Sequence, residues 1–189
     1  MSMQNNTSYS SAKKNFIGKQ AALADLIPYN RAQAIEYANI WALGRNPAYY
    51  DYSNLGGDCT NFISQCLYAG GGIMNYTRDL GWYYNHANDK APAWTGVPYL
   101  YQFLTRKTGG PGPAGQEIDI TEVEPGDLIQ LAFQETGRYS HSLIIVKCGT
   151  VPAVSNILIN THTYDRLAYP LERYFWSRIR FIKILGIRK

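Results

Sequence analysis

The chain has 189 residues, of which 46% are hydrophobic and 17% charged, and a formal net charge of +4. That apolar share excludes a disordered chain, and the length fits one compact domain that buries roughly 70% of its unfolded surface. Aliphatic runs such as Leu143-Ile144-Ile145-Val146 fall far short of a membrane span, and no such span is expected. The basic residues between Arg173 and Lys189 are interleaved with Phe175, Trp176, Ile179, Phe181 and Ile182, so no nucleic-acid partner is expected.

Residues 1–20 read as a flexible arm and 21–189 as a single domain. The polar, Ser- and Asn-rich start lacks the charged and apolar stretches of a secretion signal. The chain is therefore expected in the cytoplasm, or at the cell wall if it is a mature or trimmed form. Asn30 is a plausible cap for a helix reaching Leu43, with Gly44 as its stop, followed by a turn-rich loop carrying Tyr49, Tyr50 and Tyr52. A second helix is predicted from Cys59 to Ala69, capped by Asp58 and ended by Gly70-Gly71-Gly72. An irregular aromatic loop follows, then a short helix over 97–106 and a Gly/Pro-rich connection over 109–115. Strands are predicted over 128–133, 141–147, 154–162 and 178–185. Helices first and strands afterwards argue for α+β with an antiparallel sheet. The 16 Tyr and 4 Trp suit either a groove for peptide or glycan chains or dense loop packing.

The three cysteines show no metal-ligand spacing, so neither a disulfide framework nor a metal site is expected, and no cofactor. Cys59 is different in kind. It falls in the first turn of a helix, after Gly56-Gly57-Asp58, where unpaired N–H groups and the helix dipole favour a thiolate and can receive an oxyanion. His141 opens an aliphatic strand and shares a face with Leu143 and Ile145, expected to be the face on which the cysteine helix packs. An imidazole there could take the thiol proton and return it to a leaving amine. On the next strand, Asn160 and His162 share a face by period two. Either could orient the second ring nitrogen of His141, with Asp165 behind it.

The run Gly57-Asp58-Cys59-Thr60-Asn61-Phe62, then Pro125-Gly126-Asp127, then His141 and His162 each at a strand end, resembles the NlpC-like branch of the papain-like cysteine peptidases. Asn46-Pro47 with Tyr49 and Tyr52, Ser64-Gln65-Cys66 and His162-Thr163-Tyr164-Asp165 resemble, within that branch, a bacterial amidase-domain family. The resemblance implies a papain-like core, a nucleophile-bearing helix on an antiparallel sheet. It also implies hydrolysis of an amide bond, with peptidoglycan the usual substrate class. Carried over by residue, Cys59 is the nucleophile, His141 the base and His162 (or Asn160) the orienter of a catalytic triad. Asp58, Thr60 and one of Tyr49, Tyr50 or Tyr52 would line the substrate and oxyanion site, and the chain is expected to act as a monomer. The same site would serve an acyltransferase or transpeptidase, and a wall-binding module would retain it only as a vestige.

Overall fold

The structure, a computed structural model, describes residues 26–107 and 109–189; the arm expected over residues 1–20 lies outside them. The helices are α1 (Arg31–Trp41), α2 (Cys59–Gly71), α3 (Pro92–Thr95) and α4 (Val97–Leu104). A small hairpin, β1 (Tyr84–His86) with β2 (Asp89–Lys90), interrupts them. The strands that follow are β3 (Gly112–Ile118), β4 (Leu128–Ala132), β5 (His141–Lys147), β6 (Leu158–Thr161), β7 (Arg166–Pro170) and β8 (Arg178–Arg188). They form one sheet in the order β3-β8-β4-β5-β6-β7, antiparallel throughout. The chain is α+β, as its order of elements predicts.

Two of the expected caps form, while α1 stops at Trp41, short of Gly44, and the Asp58 side chain makes no capping bond to α2. The Asn30 side chain accepts from the Gln33 N–H at 3.1 Å and starts α1. Gly72 takes a left-handed φ of 67° and sends its N–H to the Tyr68 carbonyl at 2.7 Å, which closes α2.

Helix α2 is buried on every side, not only along its apolar stripe. Its polar flank is satisfied by the aromatics. Trp94 donates to Asn61 at 2.9 Å, Trp82 donates to Ser64 at 2.9 Å, and Tyr37 donates to Gln65 at 2.7 Å. Much of the Tyr and Trp excess is therefore spent on enclosing a central helix that carries polar residues, because each buried polar atom needs a partner.

Two strands of the large sheet escape the sequence reading, as does the β1–β2 hairpin in the stretch read as an irregular aromatic loop. β3 lies in the stretch read as a Gly/Pro connection, and β7 follows the motif His162-Thr163-Tyr164-Asp165. Both are edge strands, where one-sided pairing tolerates Pro113 and Pro170. β6 is shorter than expected, since Val154–Asn156 forms a single helical turn instead.

One expectation about faces is corrected. Phe62, Ile63, Cys66 and Leu67 of α2 pack with Leu128, Ile144 and Ile182, whereas Leu143 and Ile145 belong to a second core with Ile129, Leu131, Ile159 and Phe181. The cysteine helix thus covers the Ile144 face of β5, opposite to the His141, Leu143 and Ile145 face. β5 is a middle strand, apolar on both faces, so period two gives the alternation without saying which face meets the helix.

Asp127 ties the helical layer to the sheet. Its carboxylate accepts from Arg31 at 2.8 Å and from the backbone N–H groups of Glu124 at 3.0 Å and Ile184 at 2.9 Å. Burial outweighs these partners and holds its carboxyl above the usual carboxylate range. Asp127→Ala strands a half-buried guanidinium and two N–H groups, and is expected to cost about 3 kcal/mol in urea unfolding. The exposed Glu135→Ala should cost little.

Candidate active site

Cys59 is the first residue of α2, and Thr60 pins that turn to the sheet through a 3.0 Å contact between its Oγ1 and Ser142 Oγ. Ser142 follows His141 at the start of β5. The helix end therefore stands beside the strand end, and Cys59 and His141 line one cavity of about 290 Å³ even though the body of α2 covers the other face of β5. That volume sits near the small end of ligand pockets, roughly 300–1,000 Å³.

Burial governs the charge state of both groups. It raises the Cys59 thiol above its ordinary value, with the backbone of Ser142 and the hydroxyl of Thr60 offsetting part of the shift. Burial also pushes His141 down to about 4. At neutral pH the pair is a thiol beside a neutral imidazole, not the helix-stabilised thiolate expected from the sequence, because desolvation outweighs the hydrogen bonds from Ser142 and Thr60 and the Asp58 carboxylate adds to it. No hydrogen bond joins the sulfur to the ring among the described residues; the sulfur's side-chain neighbour is Thr60 Oγ1 at 3.8 Å.

The helix end still offers donors. Its first backbone bond runs from Phe62 N–H to the Asp58 carbonyl, and the Asp58 side chain makes no capping bond. The N–H of Cys59 lies ahead of that ladder, at the sulfur itself, where an oxyanion would form.

His162 does not reach His141. Its Nδ1 meets Asp58 Oδ2 at 2.5 Å, its Nε2 donates to the Trp41 carbonyl at 2.8 Å, and its ring stacks on Phe62 at 4.0 Å. A carbonyl can only accept, so Nε2 carries a hydrogen, and one proton lies between Nδ1 and the Asp58 carboxylate. All of these partners lie on the helix side of the sheet. The His141 ring is on the other side, 5.9 Å from Tyr174 and 6.0 Å from Phe133 between ring centroids. Asn160 is equally committed, donating to Asn39 at 2.8 Å and accepting from the Ala168 N–H at 2.7 Å. The orienting role expected of His162 or Asn160 is corrected on this geometry: alternation puts both on the helix side of β6, while His141 is on the far side of β5.

The expected substrate residues are also placed elsewhere. Asp58 is fully buried and holds the Tyr52 N–H at 2.9 Å and the Asn61 side chain at 2.8 Å as well as His162. Thr60 is buried against Ser142. Tyr49 stacks on Trp94 at 5.8 Å, Tyr52 donates to the Ala87 carbonyl at 3.1 Å, and the Tyr50 N–H donates to the Tyr84 hydroxyl at 2.9 Å. None of these five lines the cavity.

The walls are instead Phe133, Tyr164, Tyr169, Tyr174 and Phe175, with Arg166 and Arg173. The sequence held one signal for them: the aromatic and basic residues thicken over 164–175, directly after the motif that ends in Asp165. The structure adds strain. Thr163 and Tyr164, both cavity residues, take consecutive left-handed φ values of 60° and 66°, a conformation that costs non-glycine residues of order 1–3 kcal/mol each and clusters at functional sites.

Residues 28–184 match the family described as "Putative amidase domain". The chain belongs to that family. It is also similar to the uncharacterized protein YhbB of Bacillus subtilis (strain 168), at 34% identity over 156 residues, which is 80% of this chain and 47% of that protein. The chain thus spans about half the length of this relative. No solved structure matches it. The family name points to hydrolysis of amides.

The depressed His141 has a consequence for stability. The unfolded chain binds a proton near pH 6.5 that the folded ring refuses until about pH 4, so stability falls as pH drops through that window. In urea unfolding at pH 7 and 4.5, His141→Phe should shrink the acid-side loss by roughly 2–3 kcal/mol relative to the unsubstituted chain.

Proposed function

We propose that this amidase-family chain is a cysteine hydrolase with a papain-like, NlpC-like core, cleaving an amide bond in bacterial cell-wall peptides. The observation that carries the reading is the shared cavity: a helix-start thiol and a strand-start imidazole open onto the same space. As substrate fills the cavity, His141 takes the Cys59 proton while the sulfur attacks the carbonyl carbon. The carbonyl oxygen gains the charge and meets the Cys59 N–H. Collapse breaks the C–N bond, His141 gives its proton to the departing amine, and a thioester remains on Cys59. Water, deprotonated by His141, then releases the acid and restores the thiol.

A neutral imidazole suits the first step, since it enters with its basic lone pair free. A nucleophile that is a thiol at rest also fits a site in which substrate, by displacing water, completes the environment for proton transfer. In this reading His162 acts as a positioning residue: with Asp58 it fixes the turn that carries Cys59.

Mass spectrometry of muropeptides incubated with the chain tests the reading. The expected result is release of an amine and an acid by the wild-type chain and none by Cys59→Ala. Full turnover by Cys59→Ala would remove the cysteine mechanism, and transfer to an added amine in place of hydrolysis would make the chain an acyltransferase. His141→Ala is expected to cost at least about 100-fold in kcat. His162→Ala should instead lower unfolding stability by about 3 kcal/mol, with a smaller loss of kcat at temperatures where it is folded.

A further inference from the structure

We infer that the cavity at Cys59 accepts an anionic amide, one with a free carboxylate beside the bond attacked, and that Arg166 and Arg173 hold that carboxylate. The inference rests on the assignment of Cys59 as nucleophile and deepens it by naming the substrate class.

The cavity wall is one-sided in charge. Arg166 and Arg173 line it, no Asp or Glu does, and burial keeps His141 neutral above about pH 4. Elsewhere arginines near carboxylates are spoken for: Arg31 pairs with Asp127 and Glu124, and Arg45 with Asp165, Asp51 and Asp58. Asp165, the acid next in sequence to Arg166, is held by Arg45 at 2.9 Å. Neither Arg166 nor Arg173 has a carboxylate within 4.0 Å among the described residues. Arg166 is half-buried and Arg173 exposed at the rim, and two cations without counter-ions converging on one space attract an anion more strongly than either alone. A guanidinium fork matches a carboxylate with two parallel hydrogen bonds.

A backbone device aims Arg166. Ile159 pairs with Tyr169, but Thr161 pairs with Arg166, so β7 holds one residue more than β6 over this stretch. Residues 166 and 169 on a regular strand would point to opposite faces. The bulge, with Ala168 at a φ of 47°, puts them together, and the Arg166 guanidinium lies 4.7 Å from the Tyr169 ring centroid. Asn160 holds the bulge by accepting from the Ala168 N–H at 2.7 Å. The residue that fails to reach His141 thus acts at a distance on the cavity wall.

The cavity also holds an unused donor. The Tyr174 hydroxyl is buried and has no hydrogen-bond partner among the described residues. Burial pushes it up to about 12, so it keeps its proton, and the Arg166 guanidinium beside it offsets part of that shift. A carboxylate seated between the two groups would satisfy both.

Two alkylating agents of similar size separate charge from access. Iodoacetate and iodoacetamide each form an S–C bond and release iodide and the thiol proton, but only the first carries a carboxylate. Rates at Cys59 are followed by peptide mass spectrometry, and the ratio of the two is compared with that of glutathione. The ratio cancels the ionisation of the thiol. The expected result is an iodoacetate preference at Cys59 about fivefold or more above the glutathione ratio, reduced by about 1 M salt. Arg173→Gln at an exposed position should lower it, and Arg166→Gln with Arg173→Gln should bring it to the glutathione value. A Cys59 ratio equal to that of glutathione in the unsubstituted chain overturns the carboxylate site and leaves the cysteine hydrolase standing. Labelling of Cys59 by neither reagent in the folded chain, with normal labelling after unfolding, removes both.

Discussion

The contact between Asp58 and His162 decides where Cys59 sits. Asp58 precedes Cys59, and its carboxylate is shared among the His162 ring, the Tyr52 N–H and the Asn61 side chain, all within the protein. His162 in turn donates to the Trp41 carbonyl and lies on Phe62. The loop that delivers the chain into α2, the end of α1 and the end of β6 are joined at one buried carboxylate. Because an uncompensated charge there would be costly, the three segments move together or not at all. Thr60 bonding to Ser142 completes the clamp one residue further on and brings the sulfur beside the strand that starts with His141.

That clamp places Cys59 at a helix end without making it a thiolate. A helix terminus contributes a fraction of a charge, and an exposed cysteine would respond to it. Here the sulfur is nearly enclosed, the Asp58 carboxylate is adjacent, and burial dominates for thiol and imidazole alike. Low dielectric surroundings penalise separated charge before a substrate arrives. They also strengthen the hydrogen bonds that would stabilise charge once it develops on an oxyanion.

The cavity is built from two kinds of structure. Its wall holding Cys59 and His141 comes from the centre, α2 and β5, both surrounded by packed neighbours. Its other wall comes from the segment after β6, where consecutive left-handed residues, an edge strand and a bulge break every regular alternation. An edge strand has one free side and can be bent without breaking the sheet, so a cavity wall is more easily varied there than in the centre.

The order of helices and strands determined the α+β class, and local capping rules determined the start of α1 at Asn30 and the end of α2 at Gly72, but not the end of α1, which stops at Trp41 before the expected Gly44. The Gly-Gly-Asp-Cys run and the strand-start histidine were legible because each depends on neighbours in sequence. What the sequence left open was every relation across the sheet. β5 is apolar on both faces, so alternation alone could not tell which face α2 covers; the packed structure put His141 on the far side from Asn160 and His162. Asp58 and the tyrosines at 49, 50 and 52 look available in sequence, and only tertiary packing shows them consumed as hydrogen-bond and stacking partners. Arg166 and Tyr169 share a side through a single extra residue in β7, a displacement that no periodic reading of the chain contains.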